Sequence, residues 1–438
     1  MTLLYYFCFA LVLLVAGPFL LFKKKARAGL WQKLGFVPAA LKTKKNQLNG
    51  CVWFHAVSVG EFNAVTPLIK AFHSKYPTVP IVVSTTTYTG QKLAQEKISD
   101  IATVFYFPYD LPFATSPYLD LLKPRLVVIA ETEIWPGFCS ECKKRKVKLV
   151  VVNGRISPRS FKSYFRYRAF FGPVLRLFDE IGVQSKEEAE RYSKIGGSET
   201  RIRVLGNLKF DGLKPVSLEE SEQLRARINL PPDRFTLVAG STHEGEEIAM
   251  LKAYGRMLDI NGGAAASSVR LIIVPRHPER FDHVAALIDQ NGYKVRRHSR
   301  NEVFDDSGRE VYLLDVIGKL FDFYSLATVA FVGGTIAPIG GHNIMEPYAY
   351  EVPVAVGPHI EKTRDVADAL VARQAIVIAP DADAVVEQLL HYYNDASRRT
   401  LDGRAGSEIL KASQGALAKA MDLLGDHLHE KQHTLTKR

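Results

Sequence analysis

Cysteine is scarce in this chain, with four in 438 residues. That excludes a disulfide scaffold and fits a reducing compartment. A Walker A loop, GxxxxGK[ST], is absent after the first strand pattern, and so is a well-placed GxGxxG. No repeat of roughly 20–50 residues recurs, which excludes a solenoid. Hydrophobic residues make up 47% and charged residues 24%. These are ordinary globular values and exclude a disordered or collagen-like chain. An acidic surplus is lacking as well. Lys+Arg number 57 against 46 Asp+Glu, a net charge of +11, with a pI near 9.3. The excess calls for an anionic partner: nucleic acid, anionic lipid or an acidic substrate.

Long uncharged apolar runs are also missing, with one exception at the start. Thr2–Phe22 reads TLLYYFCFALVLLVAGPFLLF and is followed by Lys23, Lys24, Lys25 and Arg27. At about 1.5 Å per helical residue the run is long enough for a ~30 Å hydrocarbon core. A secretory signal would place its basic cluster before the apolar stretch. Here the cluster follows, so residues 1–25 read as a retained anchor with everything after Lys23 cytoplasmic. Shallow interfacial insertion is the alternative. The expected arrangement is a single N-terminal anchor with the soluble part on the cytoplasmic side of a membrane.

The remainder alternates short β-branched runs with amphipathic stretches, the pattern of parallel βαβ units. Strands are expected at Val52–Val57, Ile81–Thr85, Thr103–Phe107, Leu126–Ala130, Lys148–Asn153 and Glu180–Gln184. A polar stretch at 206–234, with Pro231-Pro232, reads as a linker. A second series follows at Phe235–Ala239, Arg270–Val274, Val311–Leu314, Thr328–Val332, Val352–Val356 and Ala375–Ile378. The expected class is α/β, with two Rossmann-like domains, 26–210 and 211–438, facing a cleft. In such sheets ligands bind beyond the carboxyl ends of the strands.

Those strand ends carry the polar residues of interest. The first strand runs into HAVSVGEF, where Glu61 reads either as a first-turn acid complementing the helix dipole or as a general base. Glu131 leaves the apolar run RLVVIA, where an unpaired carboxylate is costly. Cys139 and Cys142 form one CxxC pair, too few for a four-ligand zinc site. In the second half, Gly240, Ser241 and Thr242 occupy a strand-to-helix turn suited to an anion. His243 with Glu244, Glu246 and Glu247 reads as a helix start before it reads as a metal site. Pro275, Arg276 and His277 follow the next strand, and arginine suits a phosphate. Gly333-Gly334 and Gly340-Gly341 permit close backbone approach to a ligand. A helix is expected after Gly341, with Glu346 in its first turns. Asp381-Ala-Asp383 resembles the DxD of metal-dependent sugar transferases, but Asp before an amphipathic stretch is a common N-cap.

HAVSVGE, YDLP, ETEIWP, GNLKFD, STHEGEE, PRHPERF, GGHNIMEP and GPH occur in one order. In that ordered set, over nearly the whole chain, the sequence resembles the 3-deoxy-D-manno-octulosonic acid (Kdo) transferases of lipopolysaccharide assembly. The resemblance implies a GT-B architecture, a CMP-Kdo donor, a lipid A precursor as acceptor, and inversion without a bound metal or other cofactor. It implies that Glu61 is the base and that Glu131 and Lys209 support the transition state. It further implies that CMP is held by Pro275-Arg276, by Ile317, Gly318 and Lys319, and by Asn343, Ile344, Met345 and Glu346. Gly334, Gly341 and His342 fall in the same glycine-rich turn.

Two other readings compete. One is a GT-B enzyme using a UDP- or GDP-sugar. The other is a membrane-anchored nucleic-acid-binding protein, for which the basic, aromatic stretch Phe161–Arg176 is the best argument. With the resemblance in place nucleic acid is not the expected partner. Lys162, Arg166, Arg168 and Arg176 are instead expected to meet the anionic leaflet or the phosphorylated acceptor.

Overall fold

A computed structural model describes residues 5–7, 9–11, 14, 27–196, 200–260, 268–305 and 309–435. The chain divides into two compact units, one of residues 1–212 with 413–438, the other of residues 213–412. Most of the expected anchor, including Lys23–Lys25, lies outside the described residues. Among the described residues no helix is long and apolar enough to cross a membrane.

The first unit holds seven described strands: β1 Val52–His55, β2 Ile81–Thr85, β3 Thr103–Tyr106, β4 Leu126–Ala130, β5 Lys148–Gly154, β6 Glu180–Val183 and β7 Ile202–Val204. They form one sheet in the order β3-β2-β1-β4-β5-β6-β7, with every pairing parallel. Central strands such as LVVIA are buried throughout because both faces are covered. One face packs Trp53, Phe105, Phe107, Tyr118 and Phe138. The other packs Phe54, Phe62, Leu68 and Phe72.

The closing helix, Ala416–Leu435, packs on this second face through Ala416, Ala420, Leu424 and Leu428. Their spacing of four lines one side of a helix. The expected boundary at 211–438 is therefore corrected: the second unit ends near residue 412, and the last helix returns to the first. That helix buries its stripe against the helix Val59–Lys75, which carries Glu61.

The second unit has β8 Phe235–Thr242, β9 Val269–Pro275, β10 Lys294–Arg297, β11 Glu310–Leu313, β12 Val329–Val332 and β13 Val354–Ala355. Their order is β10-β11-β9-β8-β12-β13, again all parallel. The expected strand at Ala375–Ile378 is only a single bridge, Val356 to Ile378. The expected linker is not irregular throughout. It contains the helices Leu208–Asp211 and Leu218–Arg227, the latter opened by a Ser217–Glu220 capping box.

Each sheet reverses direction once. In the first unit β2 lies on one side of β1 and β4 on the other. In the second, β9 lies on one side of β8 and β12 on the other. These are the topological switch points, where loops diverge and leave room for a ligand.

Candidate functional site

Glu61 follows β1 at the first switch point. Ser58 caps the helix Val59–Lys75, accepting from the Glu61 N–H at 3.3 Å. The Glu61 carboxylate reaches back, with Oε2 accepting from the Val57 N–H at 2.7 Å and Oε1 from the Ser58 hydroxyl at 2.9 Å. The capping interpretation is thus correct as geometry. It leaves chemistry open, because each carboxylate oxygen has a second lone pair. The capping bonds also fix the rotamer. Burial pushes the carboxyl above its usual range, opposed by the bonds from Val57 and Ser58.

Glu131 directly follows β4 in the left-handed region, φ 55°, and Asn153 near the end of neighbouring β5 has φ 58°. Side chains other than glycine seldom adopt this conformation. Two such residues on adjacent strands re-aim both side chains toward one point. The Glu131 Oε1 accepts from Lys209 Nζ at 3.0 Å and from Asn153 Nδ2 at 3.5 Å. The buried Asn153 in turn accepts from the Leu208 N–H at 3.0 Å, which holds the short helix carrying Lys209. The order GNLKFD is thereby explained: Asn207 accepts from the Lys209 N–H, and Asp211 accepts from Gly415 at the start of the closing helix.

Glu133 is a participant that the sequence reading missed, although it stands two residues from Glu131 in ETEIWP. Burial, then the charges of Glu61 and Glu131, push its carboxyl up to about 7. The YDLP motif supports the same loop. Asp110 is fully buried and accepts from the N–H groups of Gly137 and Phe138, at the start of the helix Pro136–Lys144. Cys139 and Cys142 lie inside that helix, buried in the apolar core, where burial pushes both thiols up. Elsewhere on this unit Arg166, Arg168 and Arg176 line a cavity of about 450 Å³ with Ala169 and Pro173.

The second unit gathers the other expected residues at its own switch point. Ser241 has φ 56°, and Gly333 admits no side chain because a Cβ would stand 2.3 Å from the Ser241 carbonyl oxygen. Gly334, Gly340 and Gly341 all have positive φ, between 69° and 95°. Glu246 organises this loop. Its Oε2 accepts from the N–H groups of His243 and Gly334, and its Oε1 from those of Thr335, Ile336 and Ala337, all within 3.1 Å. Glu247 accepts from the Thr242 hydroxyl at 2.8 Å and takes both arms of Arg280 at 2.8 and 3.0 Å. Thr242 is fully buried with its hydroxyl so engaged, and does not present it to a ligand.

Arg276 is exposed just beyond Pro275, and its backbone N–H donates to the Thr242 carbonyl. His243 and His342 meet nitrogen to nitrogen at 2.8 Å. His277 packs edge-on to His243 at 5.3 Å. The helix expected after Gly341 is corrected to a turn and the short 3₁₀ segment Pro347–Tyr350. Pro347 has no N–H to give an α-helix, and Glu351 reverses the backbone at φ 57°. The Asn343 amide donates to Glu346 at 3.2 Å, while Ile344 and Met345 are buried beneath. Burial pushes the Glu346 carboxyl up to about 7. Ile317 is 73% exposed, Gly318 has φ 85°, and Lys319 Nζ lies 3.6 Å from Asp322. Asp381 caps the helix Ala382–Asn394 by accepting from the Ala384 N–H at 2.8 Å. Among the described residues no group of three or more His, Cys, Asp or Glu side chains is placed to hold a metal ion.

Residues 28–212 match the family described as 3-deoxy-D-manno-octulosonic-acid transferase (kdotransferase). A 3-deoxy-D-manno-octulosonic acid transferase of Haemophilus influenzae is 32% identical over 86% of this chain and 87% of its own length. That of Bordetella pertussis is 31% identical over 86% and 87%. Among solved structures, a glycosyltransferase from Rickettsia africae shares 12% identity, with a TM-score of 0.56 over 87% of this chain and 99% of its own. At that identity the likeness is one of fold.

Proposed function

Because the chain belongs to the 3-deoxy-D-manno-octulosonic acid transferase family, we propose that its two switch points divide the reaction between them. The N-terminal unit receives the acceptor hydroxyl and the C-terminal unit receives CMP-Kdo. The acceptor is a lipid A precursor, and transfer inverts the anomeric centre. The observation that carries this division is the gathering of Glu61, Glu131 and Glu133 in the first unit, against cationic groups over glycine-rich turns in the second.

A sugar hydroxyl is a poor nucleophile until a base takes its proton. A carboxylate within about 2.6–3.2 Å performs this. Glu61 suits the role because burial raises its basicity while Val57 and Ser58 fix its direction. The transition state resembles an oxocarbenium ion. Glu131 and Lys209, 3.0 Å apart, hold opposite charges beside it. On the donor side Arg276 and the backbone of the Ser241 and Gly341 turns meet the phosphate, where preorganised donors stabilise developing charge. Glu346 and Asn343 serve the nucleoside. Neither metal nor other cofactor enters this scheme, so activity is expected to survive exhaustive EDTA treatment; strict metal dependence would reopen it.

The apolar N-terminal run attaches the enzyme to the inner membrane in this reading, with Lys23–Lys25 at the anionic cytoplasmic leaflet. Within that run, the Tyr5 hydroxyl donates to Asp110 at 2.6 Å. Incubating the protein with CMP-Kdo and a tetra-acylated lipid A precursor, then weighing products, tests the whole proposal. Addition of Kdo to the acceptor is expected. An acceptor unchanged with CMP-Kdo but glycosylated with a UDP- or GDP-sugar would overturn the donor assignment.

A further inference from the structure

Three loops of the C-terminal unit, following β8, β9 and β12, bring together His243, His277 and His342. The first and last form an unusual pair. Their Nε2 atoms are 2.8 Å apart, their rings lie within 4° of parallel, and their centroids are 5.1 Å apart. The two rings therefore point nitrogen at nitrogen. Such a bond needs one N–H and one lone pair. Two imidazolium rings would set N–H against N–H, so the pair holds a single proton between its Nε2 atoms and is either neutral or singly charged.

The surroundings decide which. His277, Arg276 and Arg280 face His243, opposed by Glu247. Arg276, His277 and Lys362 face His342. Glu246 touches the pair only through the His243 backbone N–H. Burial, then the neighbouring His243 and the surrounding cations, push the His342 imidazole down to about 4. Without an anion the pair is neutral near pH 7.

We propose that the His243–His342 pair takes up a proton from solvent when the phosphate of the nucleotide donor binds beside it. This rests on the donor site assigned above. Its use lies in the charge change of the leaving group. In CMP-Kdo the phosphate is a diester with one negative charge. When the sugar carbon–oxygen bond breaks, the electron pair stays on the phosphate oxygen and CMP departs as a monoester with a second charge. A proton already held by the pair balances that second charge, and returns to solvent when CMP leaves. The acceptor proton goes separately to Glu61. The pair is a positioning device for charge, tuned by the ligand it receives.

Calorimetric titration of the full chain with CMP at pH 7.5, in buffers of low and high ionisation enthalpy, reads the protons taken up. The CMP phosphate, with a second pKa of about 6, is already a dianion there. The wild type is expected to take up close to one proton per CMP. His342→Gln and His243→Gln should lose most of that uptake while binding CMP roughly tenfold more weakly. His277→Gln should retain it. Cytidine, which lacks the phosphate, should bind without uptake. CMP binding that is identical in the two buffers overturns the inference and leaves the donor site standing. So does uptake that survives both pair variants, vanishes in His277→Gln, or occurs with cytidine. A wild-type chain that binds no CMP overturns the donor site itself, and the inference with it.

Discussion

At the first switch point the carboxylates of Glu61, Glu131 and Glu133 gather, with Lys209 bonded to Glu131. At the second, Arg276, His243, His277 and His342 stand together, and the carboxylates of Glu246 and Glu247 are fully buried and bonded. Both sites are made by the same device, the divergence of loops where a parallel sheet reverses order. Their electrostatics are opposite. The acidic site suits a hydroxyl that must lose a proton, and the cationic site suits a phosphate that must gain charge. The overall +11 hides this separation.

The comparison breaks most readily at Glu61. Glu61→Gln keeps one amide oxygen to accept from the Val57 N–H, turns its NH2 toward the Ser58 hydroxyl oxygen, and removes the base. Turnover with CMP-Kdo should fall by roughly a hundred- to ten-thousand-fold while the circular dichroism spectrum is unchanged. Near-wild-type turnover in the folded variant would assign Glu61 to capping alone. Arg276→Ala probes the other site. Loss of a charge-assisted bond should weaken CMP binding roughly 10- to 100-fold, read by titration calorimetry. Equal affinity in wild type and variant would place the phosphate elsewhere.

Glu133 sharpens the contrast through pH. Its folded pKa of about 7 stands above the ordinary glutamate value of 4.5. The folded protein therefore binds more protons than the unfolded chain between these values. Stability from this group is fully present below about pH 4.5 and is lost as pH rises through 7. Glu133→Gln should flatten that decline. Allowing for solvent screening, the benefit at pH 8 is on the order of 1 kcal/mol, or roughly 2–4 °C in Tm. Parallel Tm-against-pH curves for wild type and variant would show that Glu133 ionises normally.

Much of this was legible in the chain because central parallel strands are continuous apolar runs. Ile81–Thr85 and Leu126–Ala130 stand where the runs placed them. The edge strands Ile202–Val204 and Lys294–Arg297 escaped notice, being short, polar and partly exposed. The return of Ala416–Leu435 to the first unit was illegible for another reason. A helix stripe states that it must be buried, not against which core. Of the site, the strand-end motifs were readable and their side-chain directions were not. Thr242 looked like a ligand group until Glu247 was seen to hold its hydroxyl. Glu133 and the meeting of His243 with His342 depend on loops distant in sequence.

Asp381 supplies the smallest effect and a control for both sites. Its resemblance to a metal-binding DxD is accounted for by the bond from the Ala384 N–H, and its neighbour Asp383 pairs with Lys252 at 2.7 Å. Both carboxylates are thereby tied to helix ends rather than to either switch point. Replacing an N-cap aspartate by alanine costs about 1 kcal/mol. Asp381→Ala should therefore lower the Tm of the second unit by roughly 2–4 °C. Turnover and CMP affinity should stay within about twofold of wild type, since changes distant from a site seldom couple to it strongly. A large loss of turnover in the folded variant, restored by added divalent metal, would mean that the charge separation between the two switch points is not the whole basis of catalysis.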